Sequence, residues 1–180
     1  KYFKIAKKFG YNISHLRNKN TSNDKASDLV VFKDFIKDFL KKNKCLPKYF
    51  VHLRPTTPLR NDETISKAIK LMRKYNSKYS SLRSVRIMPE TAFKSLRIIN
   101  KKLCSITKRD FNLDKYNKSR HLYEKTYEAD GIVDIYKTKN ILNNTLLGNK
   151  VFPFIVNDTY SNIDSIEQLK YVSLIMNKLR

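Results

Sequence analysis

Residues 49–60, Tyr-Phe-Val-His-Leu-Arg-Pro-Thr-Thr-Pro-Leu-Arg, constrain the fold of this 180-residue chain more than any other stretch. An apolar, strand-like run enters a segment in which Pro55 and Pro58 fix φ twice and withdraw two backbone donors. Each proline also keeps the residue before it, Arg54 or Thr57, out of the helical region. The chain therefore leaves a strand in a stiff loop that carries Arg54 and Arg60. In an open α/β sheet ligands bind beyond the carboxyl ends of strands, so a rigid cationic loop there suits an anion.

The flanking pattern alternates between helix and strand. Phe3, Ile5, Ala6 and Phe9 have helical spacing over residues 1–10, with Gly10 as the residue that ends the helix. Opening inside a helix, and on Lys rather than Met, the chain reads as a fragment or a protein without its N-terminal element. Residues 11–15 read as a short strand and 17–25 as a polar loop. Residues 27–42 form an amphipathic helix through Val30, Val31, Phe35, Ile36, Phe39 and Leu40. Asn61 caps a further helix whose apolar face is Ile65, Ala68, Ile69 and Met72.

Beyond it, residues 81–87 and 93–99 read as strands, 108–125 as an irregular basic stretch rich in tyrosine, and 131–136 as a strand. A short helix is expected over 138–143. A further strand, 151–156, carries Pro153 and so belongs at a sheet edge or a strand start. A closing helix spans 165–179, with Ile166, Leu169, Val172, Leu174 and Ile175 facing inward. This βα rhythm predicts one three-layer α/β domain over residues 1–180.

Composition narrows the function. A hydrophobic content of 41% suits a globular chain, and no apolar run is long enough to span a membrane. There is no signal-peptide pattern, and Cys45 and Cys104 lack CxxC spacing, so a reducing, cytoplasmic setting fits best. The net charge of +22 raises nucleic acid as a partner. However, lysines are spread along the whole chain, with 17 asparagines and only three glycines, which reads as compositional drift. Nucleic-acid binders concentrate such charge in one block or face. An anionic small molecule remains compatible with it.

Four segments, in order, then carry a resemblance. They are Leu16-Arg17-Asn18 with residues 22–27 (Ser-Asn-Asp-Lys-Ala-Ser), residues 53–60, Ser119-Arg120-His121 with Asp130-Gly131, and Asn162-Ile163-Asp164-Ser165. Together they resemble the LRP…SDTAS, LQPTSPLR, PRQ…NG and paired-aspartate motifs of the CMP-N-acylneuraminate cytidylyltransferases. The resemblance covers nearly the whole chain. It implies a Rossmann-like nucleotidyltransferase fold with a mixed central sheet and a small β dimerisation arm at residues 85–106, where Phe93, Ser95, Arg97 and Ile99 alternate. It also implies a homodimer. The implied reaction joins a nonulosonic (sialic-acid-type) sugar to CTP, giving CMP-sugar and pyrophosphate with Mg2+ on the phosphates.

By resemblance, Arg17, Ala26 and Asp28 lie near the nucleotide, although Asp28 equally suits the first turn of its helix through the dipole. Arg54 stands where relatives carry a sugar-facing glutamine. An arginine there suits a carboxylate fork, a phosphate or an internal ion pair. Arg60 is a candidate brace for the loop. Arg120 matches the catalytic-site arginine of the PRQ motif, with His121 beside it as a potential base or as a plain surface histidine. Asp130, Gly131 and Asp134 would line the sugar, Asp130 alternatively being only a turn former. Asp164, with Asn162 in place of the first family acid, is the metal candidate, and Asp164 with Ser165 also suits a helix cap. The family's glycine-rich triphosphate segment has no counterpart in the 180 residues, so weak or no turnover by this chain alone is expected, the other reading being a non-catalytic binding or dimerisation relative.

Overall fold

The structure, a computed structural model, describes residues 2–13, 15–23, 25–157 and 161–178. Expectations that fall on Lys1, Ser14, Asp24 and Leu179 lie outside the described residues. In chain order the elements are α1 (Tyr2–Lys8), α2 (Asp28–Asn43), β1 (Tyr49–His52), α3 (Asp62–Lys74), β2 (Ser81–Ile87), β3 (Leu96–Ile99), β4 (Lys102–Ser105), β5 (Tyr127–Lys137), α4 (Thr138–Leu142), β6 (Val151–Ile155) and α5 (Ile166–Lys178). The chain is thus mixed α/β. Among the described residues no helix is long and apolar enough to cross a membrane.

One sheet has the order β1-β5-β2-β6. β1 and β5 run antiparallel, with Tyr49 opposite Lys137 and His52 opposite Asp134. Numbers along β2 and β5 also oppose, since Met88 N–H donates to Thr126 O and Val133 N–H to Ser84 Oγ. Along β2 and β6 they rise together, from Ser80 N–H on Lys150 O to Val156 N–H on Val85 O. The sheet is therefore mixed, with β5 reversed. Pro153 lies on β6, the last strand in the order, where a missing donor costs no ladder bond.

The chain divides into two compact units: the described residues of Lys1–His52, Ile65–Leu82 and Asp134–Phe152, and those of Leu53–Thr64, Arg83–Val133 and Pro153–Arg180. In the first, Ile36, Tyr136 and Ile141 form a buried cluster against Leu29, Phe32, Leu46, Phe50, Leu146 and Leu147. Phe32 presents an edge to Phe50, His52 and Tyr136 at centroid distances of 5.5, 5.3 and 5.4 Å. Each such aliphatic side chain taken out of water contributes about 1.5–3 kcal/mol. α2 ends where Lys44 turns left-handed and its N–H returns to Leu40 O.

The second unit holds a β3–β4 hairpin, Leu96 opposite Ser105 and Ile99 opposite Lys102. Its turn residues, Asn100 and Lys101, have φ of 49° and 61°, the pair of positive angles that a tight hairpin needs.

Four sequence expectations change. Residues 11–13 and 15 form no strand, because this polar stretch is fastened through side chains rather than a ladder. The strand expected from Phe93 begins only at Leu96: Thr91 Oγ1 accepts from Phe93 N–H and winds residues 92–94 into a 3-10 turn. β5 starts at Tyr127, four residues before the expected Gly131. On α5 only Val172 is buried, while Ile166, Leu169 and Leu174 are exposed, because a helix apolar nearly all round does not reveal its packed face by periodicity.

Candidate functional site

In the second unit the stiff loop, residues 53–60, is closed from within. Thr57 N–H donates to Arg54 O at 3.1 Å, and the Arg60 guanidinium donates to the carbonyls of Arg54 and Thr57. Arg60 is thus the brace that its position suggested. Thr57 is 1% exposed, so the loop has a packed interior rather than being a surface tether.

Gly131 sits against this loop. Its φ is +74°, and a Cβ there would lie 2.9 Å from Thr57 Oγ1 and 3.2 Å from Arg54 Cδ. Only glycine allows that approach, which lays the Arg54 side chain across the backbone at residue 131. Asp130 is buried and supports the same turn, its Oδ1 accepting from Ser84 Oγ and from Ile132 N–H. The positive φ at Gly131 also breaks the regular alternation of β5 that would align Asp130 with Asp134.

The last motif joins the loop from its other side. Ile163 N–H donates to Thr56 O at 2.8 Å, and Leu59 N–H to Ser161 Oγ at 3.2 Å. Asn162 Nδ2 donates to Asp164 Oδ2, leaving the Asp164 carboxylate exposed. Ser165 and Gln168 form a capping box for α5: Gln168 Oε1 accepts from the Asp164 and Ser165 amides, and Ser165 Oγ from Gln168 N–H. Three sequence-distant segments, 53–60, 130–131 and 161–164, are therefore one cluster within one unit.

Arg120 belongs to the same unit but to another recess. Its Nη1 donates to Pro89 O at 2.7 Å, and it lines a cavity of about 440 Å3 with His121, Lys125, Thr91 and Thr126. That recess combines the cations Arg120 and Lys125 and threonine hydroxyls with the acid Glu124 and the apolar Ile87 and Met88, so it is cationic only in part.

The remaining candidates lie in the first unit. Arg17 donates through Nε and Nη2 to Thr21 O, Ala26 N–H closes onto Asn23 O, and Asp28 stands in the first turn of α2. Arg17 lines a mainly apolar cavity of about 350 Å3 with Ile13, His15, Val31, Phe32, Phe35 and Phe50. Asp134 is buried, accepts from Tyr136 Oη at 2.9 Å, and Tyr136 Oη meets His52 Nδ1 at 3.2 Å. The sequence reading missed this chain. A polar Asp134 and Tyr136 two apart on an otherwise apolar strand was the available signal.

The donor set for Mg2+ is slender. Among the described residues no three His, Cys, Asp or Glu side chains converge as a metal-holding group. One exposed carboxylate beside an amide fits magnesium only in its usual manner, with phosphates and water completing the shell. Comparison with protein-family models and with curated proteins gives no significant match to this chain.

Proposed function

We propose that this chain is a nucleotidyltransferase-like protein of the kind that joins a nonulosonic acid to CTP. In this reading its mixed sheet is part of a Rossmann-like fold. The observation that carries the reading is the convergence of residues 53–60, 130–131 and 161–164 into one cluster. They are separated in sequence, and the resemblance assigns all three to the sugar and metal side of one site.

In this reading the Arg54 guanidinium holds the sugar carboxylate in a charge-assisted fork. Gly131 keeps the surface beside it free of a side chain, and Asp130 acts at one remove by holding that turn. The sugar's anomeric hydroxyl attacks the α-phosphorus of CTP, a C–O–P bond forms, the P–O–P bond breaks, and pyrophosphate leaves. Within one chain Arg120 lines a separate recess, so in this reading its cation serves the developing charge in the site of a second copy of the chain. Magnesium bound with CTP would neutralise phosphate charge, Asp164 supplying its carboxylate and Asn162 orienting that carboxylate. The resemblance assigns Arg17, Ala26 and Asp28, in the first unit, to the nucleotide.

None of the 180 residues supplies a glycine-rich triphosphate cradle, so pyrophosphate release from CTP by this chain alone is expected to be weak. Binding is the stronger test. CMP-linked N-acetylneuraminate should bind saturably in calorimetry, and Arg54→Ala should weaken it by about tenfold or more. Equal affinity of wild type and Arg54→Ala would remove the reading.

One observation favours a dimeric, binding role alongside. On the β3–β4 hairpin Ile98 is 74% exposed and lies opposite Leu103, itself 49% exposed, with Leu96 beside Ile98 on the same face. An apolar hairpin face of this kind suits a second copy of the chain. Sedimentation as a dimer that Ile98→Asp converts to monomer supports it, and a wild-type monomer at micromolar concentration opposes it.

A further inference from the structure

We propose that His15 is a proton-dependent fastener of residues 15–23, and thereby a positioning residue for Arg17. Its consequence for ligand binding rests on the nucleotide reading above. The fastening itself does not.

The imidazole lies between two carboxylates of α2. Nδ1 is 3.0 Å from Asp38 Oδ2 and Nε2 is 3.2 Å from Asp34 Oδ2, with the His15 side chain only 12% exposed. A neutral imidazole has one N–H and one lone pair, so it serves one of these oxygens and turns a lone pair on the other. Only the imidazolium donates to both.

One of these carboxylates, Asp34, also holds the rest of the segment. Asp34 accepts from Asn18 Nδ2 at 2.8 Å and from Thr21 Oγ1 at 2.9 Å. Thr21 O in turn holds the Arg17 guanidinium. In either neutral tautomer one of the two anchors to α2 is lost, and in the Nδ1–H tautomer the lone pair meets Asp34 and disturbs the contacts that fix Thr21, and with them Arg17.

The electrostatic surroundings are consistent with this. On α2 the groups facing His15 are Asp34 and Asp38, with Lys42 Nζ 2.8 Å from Asp38 and Phe35 edge-on to the ring at 5.7 Å. Its own segment adds Arg17, and α1 adds Tyr2 on a shared cavity. Desolvation raises the Asp34 carboxyl, but the Thr21 hydroxyl, the Asn18 backbone and His15 outweigh it and hold the group below its ordinary value. Lys42 first, then His15, do the same for Asp38. The fastener is complete where both carboxylates are ionised and the imidazole is protonated. A neutral imidazole leaves one of the two carboxylates facing a lone pair, and the fastener is then incomplete.

The test is amide hydrogen exchange of the full chain between pH 5.5 and 8.5, corrected for the intrinsic pH dependence, with amides of β5 as the internal reference. Protection of residues 17–23 should fall roughly five- to tenfold across that range in wild type. His15→Arg, a permanently charged two-donor side chain, should stay protected throughout. His15→Phe should be weakly protected at every pH. A flat wild-type profile, or a His15→Phe variant that keeps the wild-type profile, would overturn the proposal. In a second arm at pH 6, CTP should add protection to wild type and His15→Arg but not to His15→Phe. No effect of CTP on any of the three would remove the nucleotide role and leave the first arm to decide the fastening.

Discussion

Two irregular segments of this protein each present an arginine, and they are held in opposite ways. Residues 53–60 are fixed by groups that do not titrate near neutrality: two prolines, the buried Thr57, and the Arg60 guanidinium on two carbonyls. Residues 15–23 are fixed by titratable side chains, with His15, Asn18 and Thr21 all fastened to the carboxylates of α2. Order of the first kind is indifferent to pH near neutrality. Side-chain-held order exists only in the window where its charges are right. The chain thus has one arginine-bearing loop whose shape is fixed and one segment whose shape is conditional.

The comparison breaks most visibly at Gly131. Gly131→Val puts a Cβ against Thr57 and Arg54 at a positive φ, and should cost about 3 kcal/mol in urea unfolding. Gly10→Ala, also at positive φ but with nothing within 4 Å, should cost only about 1–2 kcal/mol. Equal costs would mean that the loop does not press on residue 131. Next in size, Arg60→Ala should cost about 1–2 kcal/mol, with the same loss at pH 5.5 and pH 8.5. A pH-dependent loss would show that a titrating group also holds the loop.

Ser165→Ala removes the cap of α5 and should cost about 1 kcal/mol, whereas Asp164→Asn should leave the urea midpoint nearly unchanged. The smallest effect is in acid. The Asp34 and Asp38 carboxyls are lowered in the folded state, so their contribution is present above the unfolded carboxylate range and lost as pH falls below it. Thermal midpoints between pH 6 and pH 3 should therefore decline more steeply in wild type than in Asp34→Asn/Asp38→Asn. Parallel curves would contradict that linkage.

What the sequence disclosed follows the range of the interactions. The strand at 49–52 and its loop were legible because proline acts on its own and the preceding residue. The start of α3 was legible because Asn61 reaches only to Glu63 N–H. A β arm over 85–106 was expected, but its second strand and its tight turn were not, because Asn100-Lys101 lacks the glycine that usually marks such a turn. The two side-chain networks were invisible for a different reason. His15 meets partners 19 and 23 residues away, and His52 meets Tyr136 across 84 residues. No local pattern encodes such pairings. At the site the residue types were readable, and the structure adds that Asp130 and Arg60 support the loop from within.

The most direct test of the central claim is backbone amide chemical-shift mapping with N-acetylneuraminate and CMP added together. The account predicts saturable shifts concentrated at residues 54–60, 131 and 161–164, lost in Arg54→Ala. Shifts confined to other residues, or none at millimolar ligand, would contradict it.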